Sequence, residues 1–301
     1  MLAAAWRAQT AAAPGSAASK TESESVALEL DKLDKADDAA QAEADEWLAS
    51  NKRKKAEGGG ISDAELETRI TQRFDPVRRG YEEFVSRYPR NARGHLAYGN
   101  FLNARDDERG AQREWEKALE LDPKNAVLYN NLAGRYGESG PVDKAFEYFG
   151  KAIELSPNES QYYHNFADVL YVMRRHATAY YHLDEQGVYG RCLVMYSNAL
   201  RLDPQNYSYA RDLAQTYYSL KPIPLDPALQ AWTNALSIAR QPDDCQDVYV
   251  HLARVKMLAG QYDAARAQLS LVTNQACAQA KANLLKTIQQ REAPATPGNG
   301  Q

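Results

Sequence analysis

At 301 residues, with 44% hydrophobic and 25% charged side chains, the chain has an average globular composition and enough apolar surface for a substantial core. Thirty-six Lys and Arg against 40 Asp and Glu leave a net charge of −4, so the molecule as a whole has no electrostatic reason to seek nucleic acid or an anionic membrane. No stretch approaches the roughly 20 apolar residues of a membrane-spanning helix, and three cysteines without CxxC spacing argue against a disulfide framework and a thiolate zinc site.

The first residues, MLAAAWRAQTAAAPGSAAS, are Ala-rich and small like the end of a secretory signal, but they lack a charged beginning and their apolar run breaks at Arg7. Two compartments stay open: cytoplasmic, or periplasmic or secreted where the run is what remains of a longer signal. From Lys20 to about Gly60 the composition turns to Glu, Asp, Lys, Ala and Ser, with a weak apolar pattern at Val26, Leu30, Leu33, Trp47 and Leu48. The basic run Asn51 to Lys55 and the glycines Gly58 to Gly60 read as a solvated charge cluster and a flexible hinge. Residues 1–60 are therefore expected to be a disordered or partly helical tail, and residues 291–301, rich in Pro, Gly, Ala and Thr, a second one.

Between the tails the chain repeats. FVSRYP, KALELDP and KAIELSP close at Pro89, Pro123 and Pro157, 34 residues apart, and NALRLDP closes at Pro204. An opening unit, 61–91, has a Ser62-x-x-Glu65 capping box and apolar residues at Leu66, Ile70, Phe74, Val77, Tyr81 and Phe84. Residues 92–125 carry His95, Tyr98-Gly99, Leu102, Ala111, Trp115, Ala118 and Pro123. Residues 126–159 carry Tyr129, Leu132-Ala133, Tyr136, Ala145, Phe149, Ala152 and Pro157. The unit at 160–206 starts with Tyr163, Phe166-Ala167 and Leu170 and ends with Cys192, Tyr196, Ala199 and Pro204, so about 13 residues are inserted around 176–188. Residues 207–243 have Leu213-Ala214, Tyr217, three turn prolines, Ala228, Trp232 and Ala235; residues 246–277 have Tyr249, Leu252-Ala253, Ala265 and Leu269. Residues 278–290 form one further amphipathic helix with Leu284, Leu285 and Ile288.

The 34-residue period and the order aromatic, Leu-Gly, Tyr, then Ala, aromatic, Ala and Pro resemble the tetratricopeptide repeat over residues 61–290. The resemblance implies an all-α, right-handed superhelical solenoid of about six helix-turn-helix repeats, closed by a C-terminal capping helix. Small residues such as Gly99, Ala133 and Ala118 bring the helices together, Trp115, Phe149 and Tyr196 fill the gaps, and each closing proline stops a second helix. It further implies a concave face lined by the first helix of each pair. Between the core positions those helices project Asn100, Asn131, Asn165, Asp168, Arg211, Asp212, Gln215 and Arg254, the candidate partner-binding residues. Asparagine donates and accepts, so it can pair with a partner's peptide backbone whatever that partner's side chains, and some repeats of this family use asparagines in this way. Another branch clamps a terminal carboxylate between Lys and Asn. Here Leu96, Gln161 and Asn165 stand where cations are wanted, which argues against that use.

Catalytic chemistry has no support. The five histidines form no constellation, and there is no GxxxxGKS or GxxxxGKT loop, GxGxxG turn, GxSxG elbow or HExxH helix. His176, His182, Asp184 and Glu185 cluster in the insertion, either as an exposed polar loop or as nitrogen and oxygen metal ligands on a flexible segment. Cys245 and Cys277 precede predicted helices of adjacent repeats and either bridge in an oxidising compartment or remain free thiols. The surplus of tyrosines between Tyr162 and Tyr218, with the inserted Tyr180-Tyr181, suits a recognition surface. The expected function is a non-catalytic scaffold, without cofactor, that binds a protein or peptide in its groove as part of a larger, bacterial-type assembly. The alternative is a structural, self-assembling component of a multi-protein complex.

Overall fold

A computed structural model describes residues 20–293, with side chains described from residue 24. The Ala-rich start and residues 294–301 lie outside the described residues, and with them the question of a leader and most of the C-terminal tail. Among the described residues every regular element is a helix, and no helix is long and apolar enough to cross a membrane. The chain divides into two compact units at the Ser156–Pro157 junction.

The first unit is three helix pairs: α1 (Lys20–Ala56) with α2 (Asp63–Arg87), α3 (Ala92–Asn103) with α4 (Glu108–Leu121), and α5 (Ala126–Ser139) with α6 (Val142–Leu155), each helix packing on the next. The expectation of a free tail before residue 61 is corrected here. Helix α1 lies antiparallel on α2 and touches α3. Its inward residues are Val26, Leu30, Leu33, Asp37, Ala40, Ala44, Trp47 and Asn51, a heptad spacing of alternating three and four that suits a two-helix seam. Leu30, Ala40 and Ala44 are buried, and the close fit shows at Gly80, where a Cβ would lie 2.5 Å from Leu33 Cδ2.

Several ion pairs and hydrogen bonds cross the seam. The Tyr81 hydroxyl donates to Asp34 at 2.8 Å, Arg73 forks onto Glu43 at 2.8 and 2.9 Å, and Arg87 reaches Glu29 at 2.7 Å. Arg105 bonds Asp37 at 2.9 Å while its guanidinium lies 3.3 Å over the Phe74 ring. The glycine segment is an ordered turn rather than a hinge. Asn51 accepts from the Ile61 amide at 2.8 Å and donates to its carbonyl at 3.1 Å, and Gly58 and Gly60 take φ of 83° and 90°, a backbone that glycine adopts without strain. Ser62 Oγ then caps α2 by accepting from the Glu65 amide at 3.2 Å, one half of the expected capping box.

In the α3–α4 pair a Cβ on Gly99 would sit 2.5 Å from Trp115 Cδ1, so glycine is what lets the indole cross α3. His95, standing where the repeat pattern wants an aromatic ring, is buried, with Nδ1 2.6 Å from Glu114 and Nε2 3.1 Å from the carbonyl of Pro89.

The second unit runs α7 (Ser160–Val172), α8 (Arg174–Tyr181), α9 (Glu185–Leu202), α10 (Tyr207–Thr216), α11 (Leu225–Ile238), α12 (Pro242–Leu258), α13 (Tyr262–Ser270) and α14 (Ala278–Glu292). Helices α7 and α9 are the pair interrupted by the insertion. The inserted residues are helical and not a flexible loop: α8 packs on α7 and α9 through buried Ala177, Arg174 pairs with Glu185 at 2.7 Å, and Arg191 lies 4.0 Å over the Tyr181 ring. Around Trp232, the residues Ala210, Ala214, Ala228, Val248 and Leu252 form one core cluster, and Ala253, Ala265, Leu269, Leu284 and Ile288 belong to the next. Helix α14 packs on α12 and α13 with Leu284 and Ile288 buried and Leu285 outward. It continues past residue 290, so Arg291 and Glu292 belong to the helix and not to a tail, and Glu292 is held by Arg266. Cys192, Cys245 and Cys277 are free thiols.

Candidate interaction face and its histidine–carboxylate cluster

The first helices of the second unit, α7, α10 and α12, set their polar residues in register. Asp168, Gln215 and Arg254 each follow the small residue (Ala167, Ala214, Ala253) that lets its helix pack closely, and Asp212 and His251 each stand two places before theirs. Gln215 and Arg211 are exposed; Asp168, Asp212 and Arg254 are half-buried.

Asp168 and Asp212 meet on His164. His164 and Asp168 are four residues apart and so share one face of α7; Nδ1 of the ring lies 3.5 Å from Asp168 Oδ2, and Nε2 lies 2.9 Å from Asp212 Oδ2 on α10. The ring is stacked on Tyr209 with centroids 4.6 Å apart and tilted against Tyr196. The far oxygens of both carboxylates are held as well: the Tyr196 hydroxyl donates to Asp168 Oδ1 at 2.5 Å, and Arg211 bonds Asp212 Oδ1 at 2.9 to 3.0 Å. Desolvation pushes the Asp168 carboxyl above the ordinary carboxylate range, against the opposing pull of His164 and the Tyr196 hydroxyl. Desolvation acts on Asp212 too, but the His164 hydrogen bond and the Arg211 guanidinium outweigh it and hold that carboxyl below its usual value. The two carboxylates thus differ because one has a guanidinium partner and the other a neutral phenol.

A second aromatic–histidine group lies on α12. His251 is flat on Trp232, with centroids 4.1 Å apart and planes 1° apart; Nδ1 is 3.4 Å from the Tyr218 hydroxyl and Nε2 3.8 Å from Asp247. Burial pushes its pKa down to about 4; Arg254 adds to that shift and Asp247 opposes it.

The first unit treats its candidates differently. Asn131 and Asn165, the two asparagines on matching repeat positions, are only 2% and 7% exposed, so the expectation that they line an open groove is corrected. Asn131 points back along the unit and donates to Asn100 Oδ1 at 3.3 Å, and Asn165 lies within the packing of the second unit. Asn100 is half-buried; its Oδ1 also accepts from the Trp115 indole at 3.0 Å, while its amide nitrogen is buried without a partner. These residues stitch helices together. In the insertion, Asp184 caps α9 through the Gly187 amide at 2.7 Å and Glu185 is bound to Arg174, and among the described residues these carboxylates do not converge with His176 and His182 into the metal-ligand group envisaged there. Of the residues that matter here, His164, Tyr196 and Tyr209 were not singled out from the sequence as a site; the His164-x-x-x-Asp168 spacing on a first helix was the available signal.

No protein-family model matches the chain. Over 102 residues, 33% of its length, it is 29% identical to the photosystem I assembly protein Ycf3 of Acaryochloris marina, spanning 61% of that protein. Among solved structures it is similar to YrrB, described as a TPR protein with an unusual peptide-binding site, with a TM-score of 0.54 and 15% identity over 68% of this chain and 97% of that one. It is also similar to Pseudomonas aeruginosa PilF, with a TM-score of 0.54 and 18% identity over 87% of this chain and all of the other. At these identities the likeness is one of fold, and no enzyme family is indicated. The 34-residue period, the helix pairs that follow it and the likeness to these structures give the chain the helical-repeat fold of tetratricopeptide proteins.

Proposed function

We propose that this protein is a non-catalytic interaction scaffold that takes an extended segment or helix of a partner protein across α7, α10 and α12. The observation that carries the reading is the register of Asp168, Gln215 and Arg254 on three successive first helices, with Arg211 exposed beside them. The row passes from an acceptor, Asp168, through Gln215, which donates and accepts, to a donor, Arg254, and the aromatic rings of Tyr209, Tyr218 and His251 back the polar groups. Such a surface pairs with a polar backbone and with side chains of both charges. The fold shared with a peptide-binding repeat protein supports this reading, and the near-balanced charge gives no support to nucleic-acid binding.

The test is photo-crosslinking in cells of the source organism from a benzophenone side chain placed at Gln215, and from one placed at exposed Thr233 on the second helix α11. An adduct formed from Gln215, absent from Thr233, and lost in the Arg211→Ala, Arg254→Ala variant supports the reading. Adducts of equal yield from both positions, or no effect of the variant, would remove this face as the site.

A further inference from the structure

We propose that His164, Asp168 and Asp212 form a binding site for one divalent transition-metal ion of the zinc type, independently of whether the same face takes a peptide. Among the described residues these three form the one group whose candidate ligand atoms all lie within 4.8 Å of one another. A tetrahedral zinc site with bonds of about 2.0–2.2 Å sets its ligands about 3.3 Å apart. Asp212 Oδ2 lies 2.9 Å from Nε2, near that value, while Asp168 Oδ2 faces the other ring nitrogen, Nδ1, at 3.5 Å. One ion takes one ring nitrogen, so binding requires one carboxylate to swing to the other's edge of the ring, from a start in which the three ligand atoms lie within 4.8 Å of one another.

The ligand set is one imidazole and two carboxylates. This mixture suits zinc, whereas calcium and magnesium sites are built from oxygen alone. Three protein ligands leave a coordination position for water or for a partner's side chain. The outer groups are also placed as a metal site requires. Each carboxylate keeps Oδ2 toward the imidazole while its Oδ1 is fixed by a separate donor, Tyr196 for Asp168 and Arg211 for Asp212. Such outer donors orient ligating carboxylates and hold them in place. The ring itself is fixed by stacking on Tyr209. Ligands from α7 and α10 make the ion a staple between two successive repeats, and all three residues are only partly buried, so an ion can enter.

The experiment is titration of tag-free, full-length protein with Co²⁺ alone, followed by visible absorption, and with Zn²⁺ by calorimetry. The expected result is saturation at one ion per chain, with a visible Co²⁺ band and no near-ultraviolet thiolate charge-transfer band. His164→Gln and Asp212→Asn should abolish binding, and Tyr196→Phe should weaken it by at least about tenfold. His176→Gln with His182→Gln should bind as the wild type does. In the unaltered protein Zn²⁺ should also slow modification of His164 by diethyl pyrocarbonate, a readout that does not depend on the variants folding. No saturable binding at millimolar metal, or binding unchanged in the His164 and Asp212 variants, would show an ion-pair network only and overturn the proposal.

Discussion

Gly99→Ala is a change of a single methyl group whose cost can be worked from the packing. Placed on the backbone, the new Cβ lies 2.5 Å from Trp115 Cδ1, 2.6 Å from Nε1 and 3.2 Å from the carbonyl oxygen of Ala111. The indole is buried and cannot turn outward, and the carbonyl belongs to the neighbouring helix. Forcing a methyl into such a contact costs about 1–3 kcal/mol. Displacing the indole also stretches its 3.0 Å hydrogen bond to Asn100, a further loss of about 1 kcal/mol. Against this, alanine in a helix interior is favoured over glycine by about 0.5–1 kcal/mol. The balance is a loss of about 1–3 kcal/mol. It should be read as a lower urea midpoint, followed in parallel by circular dichroism and tryptophan fluorescence because repeat arrays need not unfold in one step. A double-mutant cycle isolates the cause: with Trp115→Phe in place, Gly99→Ala should become neutral or stabilising. Ala214 packs in the cluster around Trp232 in the α10–α11 pair, so a tryptophan alone does not demand glycine; what differs is that Trp115 bonds Asn100. A Gly99→Ala protein at least as stable as the wild type, or a loss that persists without Trp115, would refute this account.

Two further outcomes follow from the packing. His251 resists protonation in the folded protein down to about 4, whereas in the unfolded chain it takes up a proton near its ordinary value of 6.5. Its contribution to stability is therefore complete above about pH 6.5 and is lost as pH falls toward 4, up to about 3 kcal/mol in all; the difference in pH profile between wild type and His251→Gln, measured by urea unfolding, should show a slope confined to that window. Ala40→Glu puts a carboxylate into the α1–α2 seam at a fully buried position and should cost about 2–4 kcal/mol, with α1 becoming sensitive to limited proteolysis; a melting curve unchanged by the substitution would mean that α1 is a tail after all.

The repeat array was legible because its signals are local. The closing prolines, the Leu-Ala and Tyr-Gly pairs and the facing aromatics each mark one helix, and 34-residue spacing made them mutually consistent, down to the place of the insertion between α7 and α9. Helix α1 was not legible for the opposite reason. Half of its seam is Ala40, Ala44, Asp37 and Asn51, small or polar residues whose inward side is declared by partners outside the helix, Arg105 for Asp37 and Ile61 for Asn51. The groove suffered likewise. Register places Asn131 and Asp212 at the same point of a first helix, yet Asn131 is closed over by Asn100 while Asp212 stays half-open between His164 and Arg211. A helical period says which way a side chain leaves its own helix; the neighbouring helix decides whether solvent is there.

The pairing of α1 with α2 has a consequence for the order in which the chain acquires structure. Its contacts lie at steadily growing sequence separation from the turn: Asn51 to Ile61 spans 10 residues, Glu43 to Arg73 spans 30, Asp34 to Tyr81 spans 47, and Glu29 to Arg87 spans 58. Each closure shortens the loop that the next must close, so the entropy lost at every step stays small. The hairpin can zip from its turn outward, early in synthesis, as soon as Tyr88 has emerged. Phe84, Tyr81 and Phe74 then already stand on an ordered surface when α3 arrives, and a nascent chain would meet its first repeat with a template in place of a bare amphipathic helix.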